Sequence, residues 1–77
     1  MGDSTRRLVY MANQIALEFA TRGDAAAAAA TADHLRRYWD PGMKAKIFNC
    51  LSEPNHGLGA TAAAAVRLLQ AGTGAAR

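Results

Sequence analysis

The spacing of apolar residues predicts a helix at the start of the chain. Beyond Ser4, a residue type that suits a helix N-cap, apolar side chains recur three and four residues apart, which places them on one side of a helix. We expect this helix to begin at Thr5, to end near Arg22 and Gly23, and to bury its apolar side. The residues on that side are Leu8, Met11, Ala12, Ile15 and Phe19.

The opposite side of this helix is unusual because it lacks the charge expected of a solvated face. Tyr10 and Leu17 form a short apolar strip there, flanked by the amide side chains of Asn13 and Gln14 and, at one end, by Arg6. Two interpretations stay open. The strip is either incidental exposure, which is common for single apolar residues, or a surface that contacts a partner.

A second helix is predicted after Gly23. Asp24 suits its N-cap, and the six alanines at 25–30 have the highest helix propensity of any residue type. Asp33 and Arg37 are placed as an i,i+4 ion pair on its solvated side. We expect the helix to reach Trp39, with the following residues sharing one face: Ala28, Thr31, Ala32, Leu35, Tyr38 and Trp39.

The Asp40-Pro41 step predicts a sharp corner and a third helix. Pro41 cannot continue the second helix but suits the first position of a new one, so Asp40 becomes its N-cap. We expect the third helix to bury one stripe, formed by Met43, Ile47, Cys50 and Leu51.

Residues 52–57 are rich in turn formers, and a fourth helix is predicted from about Gly59 to Gly72. Its apolar side carries Leu58, Ala62, Ala65, Val66 and Leu69. No stretch shows strand alternation. The sequence therefore predicts an all-α fold, a small bundle of about four short helices joined by short turns, in one domain spanning 1–77 with flexible tails at 1–4 and 72–77.

The composition indicates a thin core. Leu, Ile, Val and Phe together number 13 of the 77 residues, whereas Ala alone contributes 19. A chain this short buries little surface on folding and often depends on disulfides, metals or association. We therefore expect the bundle to complete its packing on a partner. The net charge of +3 favours an acidic partner only weakly.

The residues that could carry chemistry do not form a recognisable site. His34, Cys50 and His56 lack the paired spacing of zinc ligands, and a lone cysteine on an apolar helical stripe predicts an inert thiol. Cys50 has no cysteine to pair with, and the N-terminus lacks a secretory signal pattern, so we expect a cytoplasmic protein. No apolar window is long enough to cross a membrane.

Nucleic-acid binding is a weaker alternative. The short turn between the second and third helices is similar to a helix-turn-helix, and paired arginines at 6–7 and 36–37 could contact phosphates. The third helix, however, offers few polar groups for base recognition, mainly Lys44, Lys46 and Asn49.

Two stretches, residues 8–16 (LVYMANQIA) and 32–43 (ADHLRRYWDPGM), resemble the signature segments of one family. That family is the small delta subunit of soluble, NAD-dependent, molybdenum-type formate dehydrogenases. The resemblance covers residues 8–51, includes Phe19, and is weaker through the fourth helix. The family often has a basic residue at Tyr10 and Gly42, Phe at Tyr38, and a Pro-started last helix where this chain has Gly59.

The resemblance implies a non-catalytic accessory subunit of a complex that oxidises formate and reduces NAD. In such complexes the alpha subunit carries a molybdenum bis-guanine-dinucleotide centre and iron-sulfur clusters. The beta and gamma subunits carry FMN, further clusters and the NAD site. We expect this chain to hold no cofactor, metal or catalytic residue, and to bind alpha, with beta and gamma as further candidate partners. The alternatives are a dissociable chaperone for molybdenum-cofactor insertion or, less favoured, a small DNA-binding regulator.

Two sets of residues are the candidates for these roles. The candidate partner interface comprises Tyr10, Asn13, Gln14, Leu17, His34, Tyr38, Asp40 and Gly42. The candidate core or corner comprises Met11, Ile15, Phe19, Leu35, Trp39, Pro41, Met43 and Ile47.

Overall fold

The computed structural model describes residues 2–75, with side chains for residues 2–72, and contains four α-helices and no strand within that range. The helices are α1 (Asp3–Glu18), α2 (Asp24–Tyr38), α3 (Pro41–Cys50) and α4 (Ala60–Ala75), with a short 3-10 turn at Ala20–Arg22 between α1 and α2. The predicted all-α fold of about four helices is confirmed.

The starts of α1 and α2 differ from the predicted ones. Gly2 is the N-cap of α1 and Asp3 its first residue, so Ser4 lies inside the helix, where its hydroxyl accepts a hydrogen bond from Lys46 Nζ at 3.2 Å. Gly23 is likewise the N-cap of α2, and Asp24 is the first helical residue. Both carboxylates lie in a first turn, where the helix dipole favours negative charge. The sequence alone therefore does not distinguish an N-cap residue from an acidic residue in the first helical turn.

The helix ends also shift. The regular turns of α1 stop at Glu18, and the chain leaves the 3-10 turn at Gly23, whose φ of +93° suits glycine. The last helix begins at Ala60 and continues past the predicted end at Gly72. Residues 3–4 and 72–75 of the predicted tails are thus helical, while residues 1 and 76–77 lie outside the described residues.

The corner between α2 and α3 forms as the sequence predicts. The Met43 backbone N–H donates to Asp40 Oδ1 at 2.8 Å, and Pro41 occupies the first turn of α3. Lys44 Nζ donates to the Arg36 carbonyl oxygen at 2.9 Å, which satisfies one of the carbonyl groups left open at the end of α2. The Trp39 side chain is buried behind this corner, with 5% of its surface exposed.

The core lies where α4 packs against α2, with α1 and α3 closing the remaining sides. Leu35, Ile47 and Val66 are fully buried, and much of the rest of the core is alanine. Thr31 is also fully buried, but its hydroxyl donates to the Ala27 carbonyl oxygen at 2.7 Å and so has a partner. The apolar side predicted for the last helix is confirmed in full, since these residues are buried: Leu58, Ala62, Ala65, Val66 and Leu69.

The buried side of α1 is rotated from the predicted stripe. Val9 and Ala16, which the stripe omitted, are buried along with Leu8 and Ala12. Met11, Ile15 and Met43 are only partly buried but pack against the core. Phe19 differs from the predicted core position: it is partly buried, lies outside the core cluster at the end of α1, and has the Arg22 guanidinium over its ring.

A long-range contact fixes the loop of residues 51–59 to α1. The Asn13 side chain donates through Nδ2 to the Gly57 carbonyl oxygen at 3.0 Å and accepts at Oδ1 from the Gly59 N–H at 2.8 Å. His56 Nδ1 accepts from the Leu58 N–H at 2.9 Å, and Gly57 adopts a φ of +82°. Both polar atoms of the Asn13 amide thus bind this chain's own backbone, so this predicted interface residue has a structural role in the fold.

Replacing Trp39 by Ala is expected to lower the free energy of unfolding by about 3 to 5 kcal/mol, because it leaves a cavity behind the corner. The measurement is urea unfolding followed by far-UV circular dichroism. Tyr38→Ala is the matched control: its ring is 69% exposed, so its loss should change stability by no more than about 0.5 kcal/mol. Equal effects of the two substitutions would show that the Trp39 ring is not part of the core.

Asn13→Ala is expected to lower the free energy of unfolding by roughly 1 to 3 kcal/mol, since it leaves two backbone groups of the loop without their partner. Gln14→Ala, at the exposed neighbouring position, should be nearly neutral. Amide hydrogen exchange gives a local measurement: the Gly59 N–H should exchange faster in Asn13→Ala and keep its protection in Gln14→Ala. Unchanged exchange at Gly59 would contradict the contact.

Candidate partner interface

Two large apolar side chains project from the outer side of α1. Tyr10 is 64% exposed and Leu17 is 66% exposed, and they lie two helical turns apart on the same side. Their exposure agrees with the apolar strip that the sequence predicts. Within the described part of the chain, the other large apolar side chains with comparable exposure are Tyr38 and Leu68.

A groove runs beside these two side chains, between α1 and the segment of residues 55–62. It consists of one depression of about 520 Å³ next to Tyr10 and another of about 320 Å³ next to Leu17. Asn13 borders both, and the buried side chains of Val9, Ala16 and Ala62 contribute to their linings. We call the surface formed by Tyr10, Leu17 and these two depressions the α1 groove.

The two amide residues of this surface have different roles. Asn13 holds one wall of the α1 groove against the other through its bonds to Gly57 and Gly59. The Gln14 side chain is exposed and makes no hydrogen bond within the described residues, so its amide can both donate to and accept from a partner. The sequence indicated both amides but could not separate these roles, since Gly57 and Gly59 are distant in the chain.

A second candidate surface lies mainly on α2. The His34 and Tyr38 rings of α2 contact each other with centroids 4.8 Å apart and planes tilted by 48°. They line a depression of about 290 Å³ together with Phe19, Arg22 and Arg37. We call these five residues the aromatic-basic patch. It contains two of the predicted interface residues, His34 and Tyr38, and adds three that the sequence reading did not place there.

Asp33 borders this patch and is held by two arginines. Arg36 Nη2 binds its Oδ1, and Arg37 Nε binds its Oδ2 at 3.0 Å, which includes the predicted i,i+4 pair. The hydrogen bond from Arg36 is the main reason that the pKa of Asp33 is lowered, against a smaller opposing effect of desolvation. The carboxylate is therefore ionised at neutral pH.

Asp40 and Gly42, also predicted at the interface, have a local structural role. The Asp40 carboxylate caps α3, and a Cβ at Gly42 would lie 3.3 Å from Asp40 Oδ1. Both residues are exposed at the corner, so a partner protein could contact them. Their conformation, however, is already accounted for by the turn between α2 and α3.

A fourth depression was not predicted from the sequence. It lies between α2 and α4, measures about 590 Å³, and is bordered by Ala32, Leu69 and the half-exposed Leu68. A signal for it was present in the sequence. Adjacent leucines at 68 and 69 point about 100° apart on a helix, so they cannot both face the same core.

Of the three residues that could carry chemistry, His34 lines the aromatic-basic patch, His56 lines the depression next to Tyr10, and Cys50 is buried. Burial raises the pKa of the Cys50 thiol, with a further contribution from the charge of Glu53, so the thiol stays protonated at neutral pH. Its Sγ lies 3.9 Å from the His56 carbonyl oxygen. In residues 2–75 no three His, Cys, Asp or Glu side chains cluster as metal ligands, and no helix there is long and apolar enough to cross a membrane.

Comparison with known proteins identifies the family. A family model described as the NADH-dependent formate dehydrogenase delta subunit FdsD matches residues 7–66. Comparisons with curated proteins and with solved structures gave no match. The matched range includes α1, the corner, the loop fixed by Asn13 and the first turns of α4. The chain therefore belongs to the family of NADH-dependent formate dehydrogenase delta subunits, as its two signature segments indicate.

Proposed function

We propose that this chain is a non-catalytic accessory subunit that binds and stabilises the larger subunits of a formate dehydrogenase. Membership of the delta-subunit family supports association with other subunits of that enzyme. The observation that carries the proposal is the α1 groove, in which Tyr10 and Leu17 are each about two-thirds exposed beside a preformed floor.

The energetics of the α1 groove favour a protein partner. Covering apolar surface contributes about 25 cal/mol per Å², and aromatic anchors beside pockets are frequent sites of strong interface contacts. The floor is already held in place by Asn13, so a partner would not have to order it on binding. Gln14 lies at the edge, where it can pair with backbone groups that the contact would otherwise bury unpaired.

The proposal assigns the alpha subunit as the main partner, with beta and gamma as possible further contacts. The molybdenum bis-guanine-dinucleotide centre, the iron-sulfur clusters, FMN and the NAD site then belong to those subunits. The described side chains of this chain form no cluster of ligands for the metal centres, and its one thiol is buried and protonated. A lone reduced thiol also suits the cytoplasm, where we place the complex.

The double substitution Tyr10→Ala/Leu17→Ala is expected to release the subunit from the enzyme complex while leaving its far-UV circular dichroism unchanged. Truncating interface anchors costs about 2 kcal/mol or more each, which amounts to a loss of affinity of roughly thirtyfold per residue. Co-purification of tagged subunit with formate-oxidising activity is the measurement.

Leu68→Ala provides the matched control for this experiment. Leu68 is also a half-exposed leucine, but it lies on α4 beside a different depression. Retention of the complex by Leu68→Ala, together with its loss in the double variant, would support the α1 groove. Full co-purification of the double variant would exclude the groove as the main contact.

A permanent subunit and a dissociable chaperone for molybdenum-cofactor insertion differ in stoichiometry. We expect one copy of this chain per alpha subunit in the purified, active complex, measured by native mass spectrometry. A chaperone would instead be found with alpha subunits that lack the cofactor and would be absent from the active enzyme. Recovery of active complex without this chain would favour the chaperone.

A further inference from the structure

We infer that the aromatic-basic patch is a second docking surface, and that it binds an acidic segment of a partner protein in which a carboxylate neighbours an aromatic side chain. The patch consists of Phe19, Arg22, His34, Arg37 and Tyr38. It shares no lining residue with the two depressions of the α1 groove. The inference rests on the proposed function only in assigning this segment to a subunit of the enzyme.

The first argument is an imbalance of charge. Asp33 is the one carboxylate that borders the depression, and it is shared between Arg36 and Arg37. Arg37 binds it through Nε, and within the described residues the two Nη groups of Arg37 have no hydrogen-bond partner. Within the lining of the depression, the one negative charge of Asp33 is set against the guanidinium groups of Arg22 and Arg37. The patch therefore carries a net positive charge.

The second argument concerns Arg22, which lines the depression from the 3-10 turn. Its guanidinium carbon lies 4.8 Å from the centroid of the Phe19 ring, and it makes no ion pair within the described part of the chain. Stacking on the ring holds the guanidinium plane in place while its N–H groups remain available. Arginine presents these groups as a fork that matches the two oxygens of a carboxylate.

The third argument is the exposed ring of Tyr38. It is 69% exposed but rests against the half-buried His34 ring, so its position is already restricted. An aromatic side chain of a partner could pack against it with little further loss of conformational freedom. The restricted Tyr38 ring favours an aromatic side chain in the partner segment. Arg22 and Arg37 can bind more carboxylate groups than this chain supplies, so they favour a carboxylate next to that aromatic side chain.

The shape of the patch favours a peptide over a nucleic acid. A depression of about 290 Å³ accommodates one or two side chains, whereas a nucleic-acid backbone needs a longer run of cations. The ionised Asp33 on its wall would also repel a row of phosphates. A single carboxylate meets the charge of Asp33 only once, and this repulsion is opposed by the guanidinium groups of Arg22 and Arg37.

The test uses the full chain and a synthetic peptide, acetyl-Asp-Phe-Glu-Phe-Asp-amide, with acetyl-Asn-Phe-Gln-Phe-Asn-amide as its neutral match. We expect the acidic peptide to shift the NMR resonances of His34 and Tyr38 and to bind more weakly as salt is raised. The neutral peptide should bind at least about tenfold more weakly, as expected when charge-assisted hydrogen bonds are lost. Equal binding of the two peptides, or no binding of the acidic one, would overturn the inference.

Variants locate the contact. Arg22→Gln/Arg37→Gln should weaken binding of the acidic peptide about tenfold or more, while Arg67→Gln, an exposed arginine on α4, should leave it unchanged. Circular dichroism of each variant verifies folding. Inorganic phosphate or a DNA duplex that binds this patch more tightly than the peptide would also overturn the assignment, in favour of a phosphate site.

The same variants separate this inference from the proposed function. In the enzyme complex, Arg22→Gln/Arg37→Gln should weaken association and reduce its dependence on salt, because paired charges at an interface accelerate and orient binding. If this variant assembles normally while Tyr10→Ala/Leu17→Ala is released, the accessory role stands and the second docking surface is excluded. If the peptide binds as expected but the subunit joins no formate-oxidising complex, the proposed function fails alone.

Discussion

The packing of α2 against α4 through small side chains is the constraint on which the rest of the structure depends. Alanine at positions such as 28, 32, 62 and 65 allows the helices to approach closely, but each contact contributes little apolar volume. The few bulky residues that are fully buried, Leu35, Ile47 and Val66, therefore form a narrow centre. The other elements are arranged so that each supplies one or two larger side chains around it.

This constraint explains why the surfaces of the chain are informative. The chain has few large apolar side chains, and several of them are not used in the core. The exposed ones are Tyr10, Leu17, Tyr38 and Leu68. Two of these lie beside the α1 groove and one in the aromatic-basic patch. Such a distribution is typical of a protein whose packing is completed by another molecule, and it agrees with the delta-subunit family.

The features that the sequence predicts well are those determined by neighbours in the chain. The corner follows from Asp40 and Pro41 alone, since capping and the fixed φ of proline act within one turn. The exposed strip of α1 follows from helical periodicity. The resemblance of residues 8–16 and 32–43 to one family, confirmed over residues 7–66, is likewise a property of short segments.

The features that the sequence did not predict depend on distant partners or on where a helix stops. Asn13 was read as a contact for another protein because its partners, Gly57 and Gly59, carry no signal for it. Helical spacing predicts Phe19 in the core, but α1 ends at Glu18 and the Phe19 ring lies beside Arg22, outside the core cluster. The aromatic-basic patch joins this turn to side chains of α2, and the spacing within one helix does not indicate a contact between two elements.

The two hydrogen bonds of Asn13 have a further consequence. They join the loop to α1 and at the same time set the width of the α1 groove, so the groove exists only while that part of the chain is folded. A molecule seated in the groove thus binds the folded form and not the unfolded one, and mass action shifts the balance toward the folded chain. If the proposed partner occupies the groove, the folded chain is stabilised by binding, and copies without that partner are more open to unfolding and proteolysis.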